Sequence, residues 1–149
     1  MKSASSQSIL DKIFSWARAN SIGYFTVGGA CCADEVLNAS ACRYDLERFG
    51  AVEQSDPKQA DLLIICGVLN GKMKVEVKAV YDSMASPKYV IAVGTCANGG
   101  GLFSQEGANA TVPVDVYVAG CPPRPEAIMN GIIALQDKIL GRQHPSLEN

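Results

Sequence analysis

Residues 61–66, D-L-L-I-I-C, decide the fold. Their apolar side chains are continuous rather than alternating, so the run reads as a strand buried on both faces, as in a parallel sheet. Three more runs read the same way: Y-F-T-V (24–27), Y-V-I-A-V (89–93) and V-P-V-D-V-Y-V (112–118). Helical patterns separate them. Met73, Val77, Val80, Tyr81 and Met84 fall on one helical face, as do Ile128, Ile132, Leu135 and Ile139. An amphipathic helix over about 6–19 carries Ile9, Leu10, Ile13, Phe14 and Trp16, with core packing or docking as its expected use. A second helix, over about 34–48, is stopped by Gly50. The order α-β-α-β-α-β-β-α predicts a three-layer α/β sandwich around a mostly parallel, four-stranded sheet. Residues 97–111 read as a glycine-rich loop and about 141–149 as a short polar tail, with His144 in solvent.

A chain of 149 residues is the usual size of one domain, so residues 1–149 are expected to form a single unit. Its 48% hydrophobic and 19% charged residues and net charge of −2 describe a compact protein and exclude a nucleic-acid-binding one. No apolar run approaches the roughly 18 residues that span a bilayer, and M-K-S-A-S-S-Q-S lacks a secretory core. The expected place is the cytosol, with any membrane attachment made through partners or the first helix.

Six cysteines, at 31, 32, 42, 66, 96 and 121, exceed what a cytosolic core needs and point to metal or catalysis. With His144 the single histidine, a Cys-His nucleophile is improbable. Parallel strands bring their carboxyl ends to one edge of the sheet, where such folds hold ligands. Cys31 and Cys32 follow the first strand, Cys96 the third and Cys121 the last, so four thiols are expected to converge there. Cys66 and Cys42 read instead as packing, because free cysteine is among the most buried residue types.

Four thiols admit several occupants. Zinc sites usually pair their ligands as C-x2-4-C, which this chain lacks, and two sulfurs on one zinc stand about 3.8 Å apart, difficult for adjacent residues in extended backbone. A cubane offers separate iron corners, so an adjacent pair is tolerable. A vicinal disulfide needs strain and an oxidising setting, and a redox dithiol usually shows C-x-x-C. Cys121 is followed by Pro122 and Pro123, and Cys-Pro recurs in ferredoxin-type ligation. Gly28, Gly29, Ala30, Gly94 and Gly99 to Gly101 let backbone amides approach sulfur, although ordinary turns use the same residues.

The segments G-G-A-C-C-A-D-E (28–35), R-Y-D-L-E-R-F-G (43–50), Q-A-D-L-L-I (59–64), P-K-Y-V-I-A-V-G-T-C-A-N-G-G-G (87–101) and V-P-V-D-V-Y-V-A-G-C-P-P-R-P-E-A-I (112–128) resemble one family in its own order. It is the terminal-cluster subunit of respiratory complex I, also called the PSST or B-type subunit, related to NiFe-hydrogenase small subunits. The similarity runs from about residue 12 to 140. It implies a flavodoxin-like fold with one 4Fe-4S cluster on Cys31, Cys32, Cys96 and Cys121. It also implies charge compensation or proton coupling by Glu35, Arg43 and Asp45, for which structural ion pairing and helix packing are the alternative. The implied role is electron transfer to an acceptor, quinone above all, within an NADH:quinone oxidoreductase-like complex, with no activity of the chain alone. Implied partners are a large catalytic subunit of the hydrogenase-large type, a ferredoxin-like iron-sulfur subunit and membrane-embedded subunits. The implied position is peripheral, on the cytoplasmic face of the membrane.

The adjacent C-C pair favours the dehydrogenase branch over the hydrogenases, which more typically use C-x-x-C. This chain departs from quinone-reducing members at Gly23-Tyr24, where they usually have Trp-Pro, and at Asp34-Glu35-Val36-Leu37, where they carry a methionine-bearing I-E-M-M. Its Gly101 to Val112 loop is several residues shorter. Those departures admit a hydrogenase-type or related complex with protons or a sulfur compound as acceptor. A flavin module is a further alternative, but the chain lacks the glycine fingerprint between strand and helix.

Overall fold

The computed structural model describes residues 9–103 and 106–142. Five parallel strands form one sheet: β1 (Ile22–Gly28), β2 (Ala51–Glu53), β3 (Leu62–Cys66), β4 (Tyr89–Val93) and β5 (Val116–Val118). Their spatial order is β2-β1-β3-β4-β5, the flavodoxin-like arrangement. The helices are α1 (Ile9–Ala19), α2 (Ala30–Ser40), α3 (Gly71–Ser83), α4 (Gly94–Gly99) and α5 (Pro125–Leu140).

Strand β3 is the centre of the molecule, buried at every residue. Alternate side chains leave a strand on opposite faces, so Leu62, Ile64 and Cys66 enter one core and Leu63 and Ile65 the other. The first core is closed by Val36 and Ala39 of α2 and by Ile128, Ile132 and Leu135 of α5. The second is closed by Val77 of α3 together with Leu69, Ala97, Ala108 and Val112. Helices on both faces make the three expected layers, and they explain why the strand runs show no polar alternation.

Several boundaries differ from the sequence reading. The fifth strand, β2, is three residues long and pairs with β1 through Ile22 and Ala51. Only Ala51 of it is buried, so no apolar run marks it. The helix expected over 34–48 begins at Ala30, which has φ +63, and ends at Ser40, with a separate 3-10 turn over Leu46–Phe49. Gly50 closes that turn with φ +75. The run at 112–118 pairs only from Val116, because Pro113 has no N–H to offer and the Asp115 carboxylate accepts the Val90 N–H at 2.9 Å. The glycine-rich stretch is partly helical, through α4 and two 3-10 turns at Gly101–Phe103 and Ala108–Ala110.

Helix α1 lies against α5, yet Ala19 is its buried residue, while Ile9, Leu10, Ile13, Phe14 and Trp16 are all exposed. The core-packing use expected for those side chains is therefore not seen. No helix among the described residues is long and apolar enough to cross a membrane. His144 lies outside the described residues.

Helix α3 starts where the Asn70 side chain accepts the Met73 N–H at 2.9 Å. Replacing Asn70 by alanine is expected to cost about 1 kcal/mol. Ile64→Ala, which empties the fully buried centre of β3, is expected to cost about 2–5 kcal/mol. Denaturant midpoints followed by circular dichroism check both, and the reverse ranking would contradict the placement of the core.

Candidate metal centre

Register across the sheet builds the site. Gly28 of β1 pairs with Cys66 of β3, Cys66 with Val93 of β4, and Val93 with Val118 of β5. These four residues form one row at the carboxyl edge. Three members of the row lead at once to a cysteine: Gly28 to Cys31 and Cys32 in the first turn of α2, Val93 to Cys96 in the first turn of α4, and Val118 to Cys121 two residues past Ala119. The pair thus stands on helical rather than extended backbone.

The contacts at this edge depend on missing side chains. Gly94 has φ +86, and a Cβ there would overlap the Cys32 sulfur, so that thiol rests against the Gly94 backbone. A Cβ on Gly101 would stand 3.3 Å from the Cys96 sulfur. Around Cys121 the chain turns through Gly120, with φ +146, and a cis Cys121–Pro122 peptide. Thr95 of α4 donates from both its N–H and its hydroxyl to the Gly120 carbonyl, at 2.9 and 3.0 Å, and Asn98 Nδ2 donates to the Val118 carbonyl at 3.1 Å.

Cys32 is the electrostatic hub. Burial pushes its thiol up to about 11, aided next by the charge and the hydrogen bond of Cys31, then by the charges of Cys96 and Cys121. Cys66 is buried as well, pushed up to about 12 by desolvation and then by Cys32, and it packs in the core as expected. Cys42 does not: it is exposed in the turn after α2, because the helix ends before reaching it. Cys31 and Cys121 are exposed and Cys96 is half-buried, so the quartet opens outward.

Among the described residues no three His, Cys, Asp or Glu side chains form a group that could hold one metal ion. Thiols spread over two helix starts and one loop would serve separate corners of a polynuclear centre, and glycine at 94 and 101 leaves the sulfurs room. Bound cations would also invert the mutual repulsion that now favours the protonated Cys32.

Beside α2 lies a cavity of about 310 Å³ lined by Glu35, Asn38, Ala41, Arg43, Tyr44 and Pro125. It brings Glu35 and Arg43 together. Asp45 is not part of it; this residue sits at φ +56 with its carboxylate 3.8 Å from Arg48. The Tyr44 hydroxyl donates to Glu126 at 3.2 Å, and the Arg43 guanidinium stands 5.6 Å from the Tyr44 ring centre. Glu126, Thr95 and Asn98 escaped the sequence reading, since contacts 82, 25 and 20 residues apart leave no local pattern. Tyr24, in the departing Gly23-Tyr24 pair, is buried in the core, which pushes its hydroxyl up.

Fold and site together define a flavodoxin-like α/β domain with cysteines at the carboxyl edge of its sheet. The sequence model of the NADH ubiquinone oxidoreductase 20 Kd subunit matches residues 30–135, and the chain belongs to that family. Among solved structures, a chain of the membrane-bound sulfane sulfur reductase, an archaeal respiratory membrane complex, is 37% identical with a TM-score of 0.82. The match covers 87% of this chain and 76% of that one.

In the metal-free chain, iodoacetamide is expected to label Cys31, Cys42 and Cys121 well before Cys32 and Cys66. Gly94→Ala should lift Cys32 from its seat and speed its labelling several-fold while Cys66 stays slow. Peptide mass spectrometry over a time course checks this, and equal rates at Cys31 and Cys32 would contradict the seat.

Proposed function

We propose that this chain is an electron-transfer subunit of a membrane-associated respiratory complex, with Cys31, Cys32, Cys96 and Cys121 holding one 4Fe-4S cluster. The observation that carries the reading is the row Gly28, Cys66, Val93 and Val118, which launches three cysteine-bearing segments from one sheet edge. Membership of the family supports it. When bound, a 4Fe-4S centre supplies a one-electron carrier whose potential follows its charge, hydrogen bonds and exposure. The protein's own part is to bind and tune. Glycines 94 and 101 open the space for sulfur, Pro122 and Pro123 stiffen the segment after Cys121, and Glu35 and Arg43 supply opposite charges beside α2. Those two side chains are assigned to charge compensation and proton coupling, while Asp45, loosely paired with Arg48, is assigned to structure.

The outward opening of the quartet calls for a covering partner, because exposed thiolate ligands oxidise readily. A large catalytic subunit fills that place in this reading, with a ferredoxin-like subunit as donor and membrane-embedded subunits holding the assembly at the cytoplasmic face. Quinone is the acceptor implied by the family. A sulfur compound is the second reading, favoured by the likeness to the sulfane sulfur reductase complex and by the changes at Gly23-Tyr24 and at residues 34–37.

Anaerobic reconstitution with iron and sulfide tests the site. The wild-type chain should take up about four irons. Alanine at Cys31, Cys32, Cys96 or Cys121 should abolish or degrade that uptake, and Cys66→Ala and Cys42→Ala should keep it. Full uptake by Cys96→Ala would defeat the assignment. For the acceptor, the reduced whole complex is mixed with a short-chain quinone or with polysulfide, and the faster reoxidation identifies the class.

A further inference from the structure

Helix α4 carries Cys96 between two side chains that bond across to the chain leaving β5. Thr95 and Asn98 are three residues apart, hence neighbours on one helical face. That face meets the carbonyls of Gly120 and Val118, which are two residues apart and so project from the same side of an extended segment. Spacing three on the helix therefore matches spacing two on the strand exit. The β4–β5 ladder, which ends at Val93 and Val118, is carried on by the Thr95 N–H, doubled by the Thr95 hydroxyl and extended by the Asn98 amide. Among the described residues the Asn98 Oδ1 is buried with no hydrogen-bond partner, so the bond from its amide nitrogen holds the side chain there at some cost.

We propose that Thr95 and Asn98 are positioning residues that lock the Cys121 segment to the Cys96 helix, so that these two thiols are set as one unit. The inference rests on the ligand reading given above. Cys121 follows Gly120, a glycine at φ +146, and is itself exposed, so its sulfur is restrained by this clamp and by the prolines that follow it. With the clamp, a displacement of α4 moves both ligands together. Removing it frees one ligand relative to the other, which changes how readily iron is lost and the local field at the centre.

The test uses the full chain, reconstituted anaerobically, in four forms: wild type, Thr95→Val, Thr95→Ser and Asn98→Asp. Valine keeps the shape of threonine but loses the hydroxyl, serine keeps the hydroxyl, and aspartate turns the donated bond into a contact between two acceptors. Iron release to a chelator should rise roughly two- to tenfold in Thr95→Val and by at least as much in Asn98→Asp. The electron paramagnetic resonance spectrum of the reduced protein should shift in both, and Thr95→Ser should match wild type. Thermal melting of the metal-free forms separates this from general destabilisation, which would leave the spectrum of the remaining centre unchanged. If wild type takes up no cluster, the ligand reading fails and this inference with it. If wild type is loaded and Thr95→Val shows its release rate and spectrum, the ligand reading stands and the clamp is overturned, whatever Asn98→Asp does.

Discussion

Register at the carboxyl edge of the sheet is the constraint on which the rest depends. Parallel pairing aligns Gly28, Cys66, Val93 and Val118, and no strand can slip by one residue without exchanging its two buried faces. The two cores thus hold the register, because Leu62 and Ile64 have one set of neighbours and Leu63 and Ile65 another. A site assembled from residues up to 90 positions apart inherits its precision from that packing. Stability and function are joined at this edge, since the burial that stabilises β3 also sets the distance between the segments beside it.

The thiols divide by environment rather than by chemistry. Cys66 and Cys32 are both buried in the first core, but Cys66 ends a strand whereas the Cys32 sulfur rests against the Gly94 backbone. Burial holds both in the protonated form, and only at Cys32 do three further thiols add to that effect. Such a group is costly to ionise alone and favourable to ionise against bound cations. Cys31 and Cys121, by contrast, are exposed at the same edge.

Apolar surface is also left uncovered away from the quartet. The five large side chains of α1 and the pair Leu102 and Phe103 after α4 remain in water in the isolated chain. Contiguous exposure on this scale marks interaction surfaces more often than folding defects, which agrees with a chain that belongs to a family of complex subunits.

Much of this was legible beforehand. Continuous β-branched runs announce a doubly covered parallel sheet, cysteines placed just past such runs announce a shared edge, and glycine and proline around them announce tight turns. Short β2, the early start of α2 and the exposure of Cys42 were hidden, because each is decided by pairing or by a backbone angle at Gly29 and Ala30 rather than by side-chain pattern. The shared cavity of Glu35 and Arg43, and the bonds of Thr95 and Asn98 across to the Cys121 segment, were hidden for a different reason. Periodicity and spacing determine which faces of the chain must leave water, and that much belongs to the sequence alone. Which distant polar groups then meet is settled only when those buried faces lock the elements together, since hydrogen bonds act over a few ångströms and have no signature along the chain.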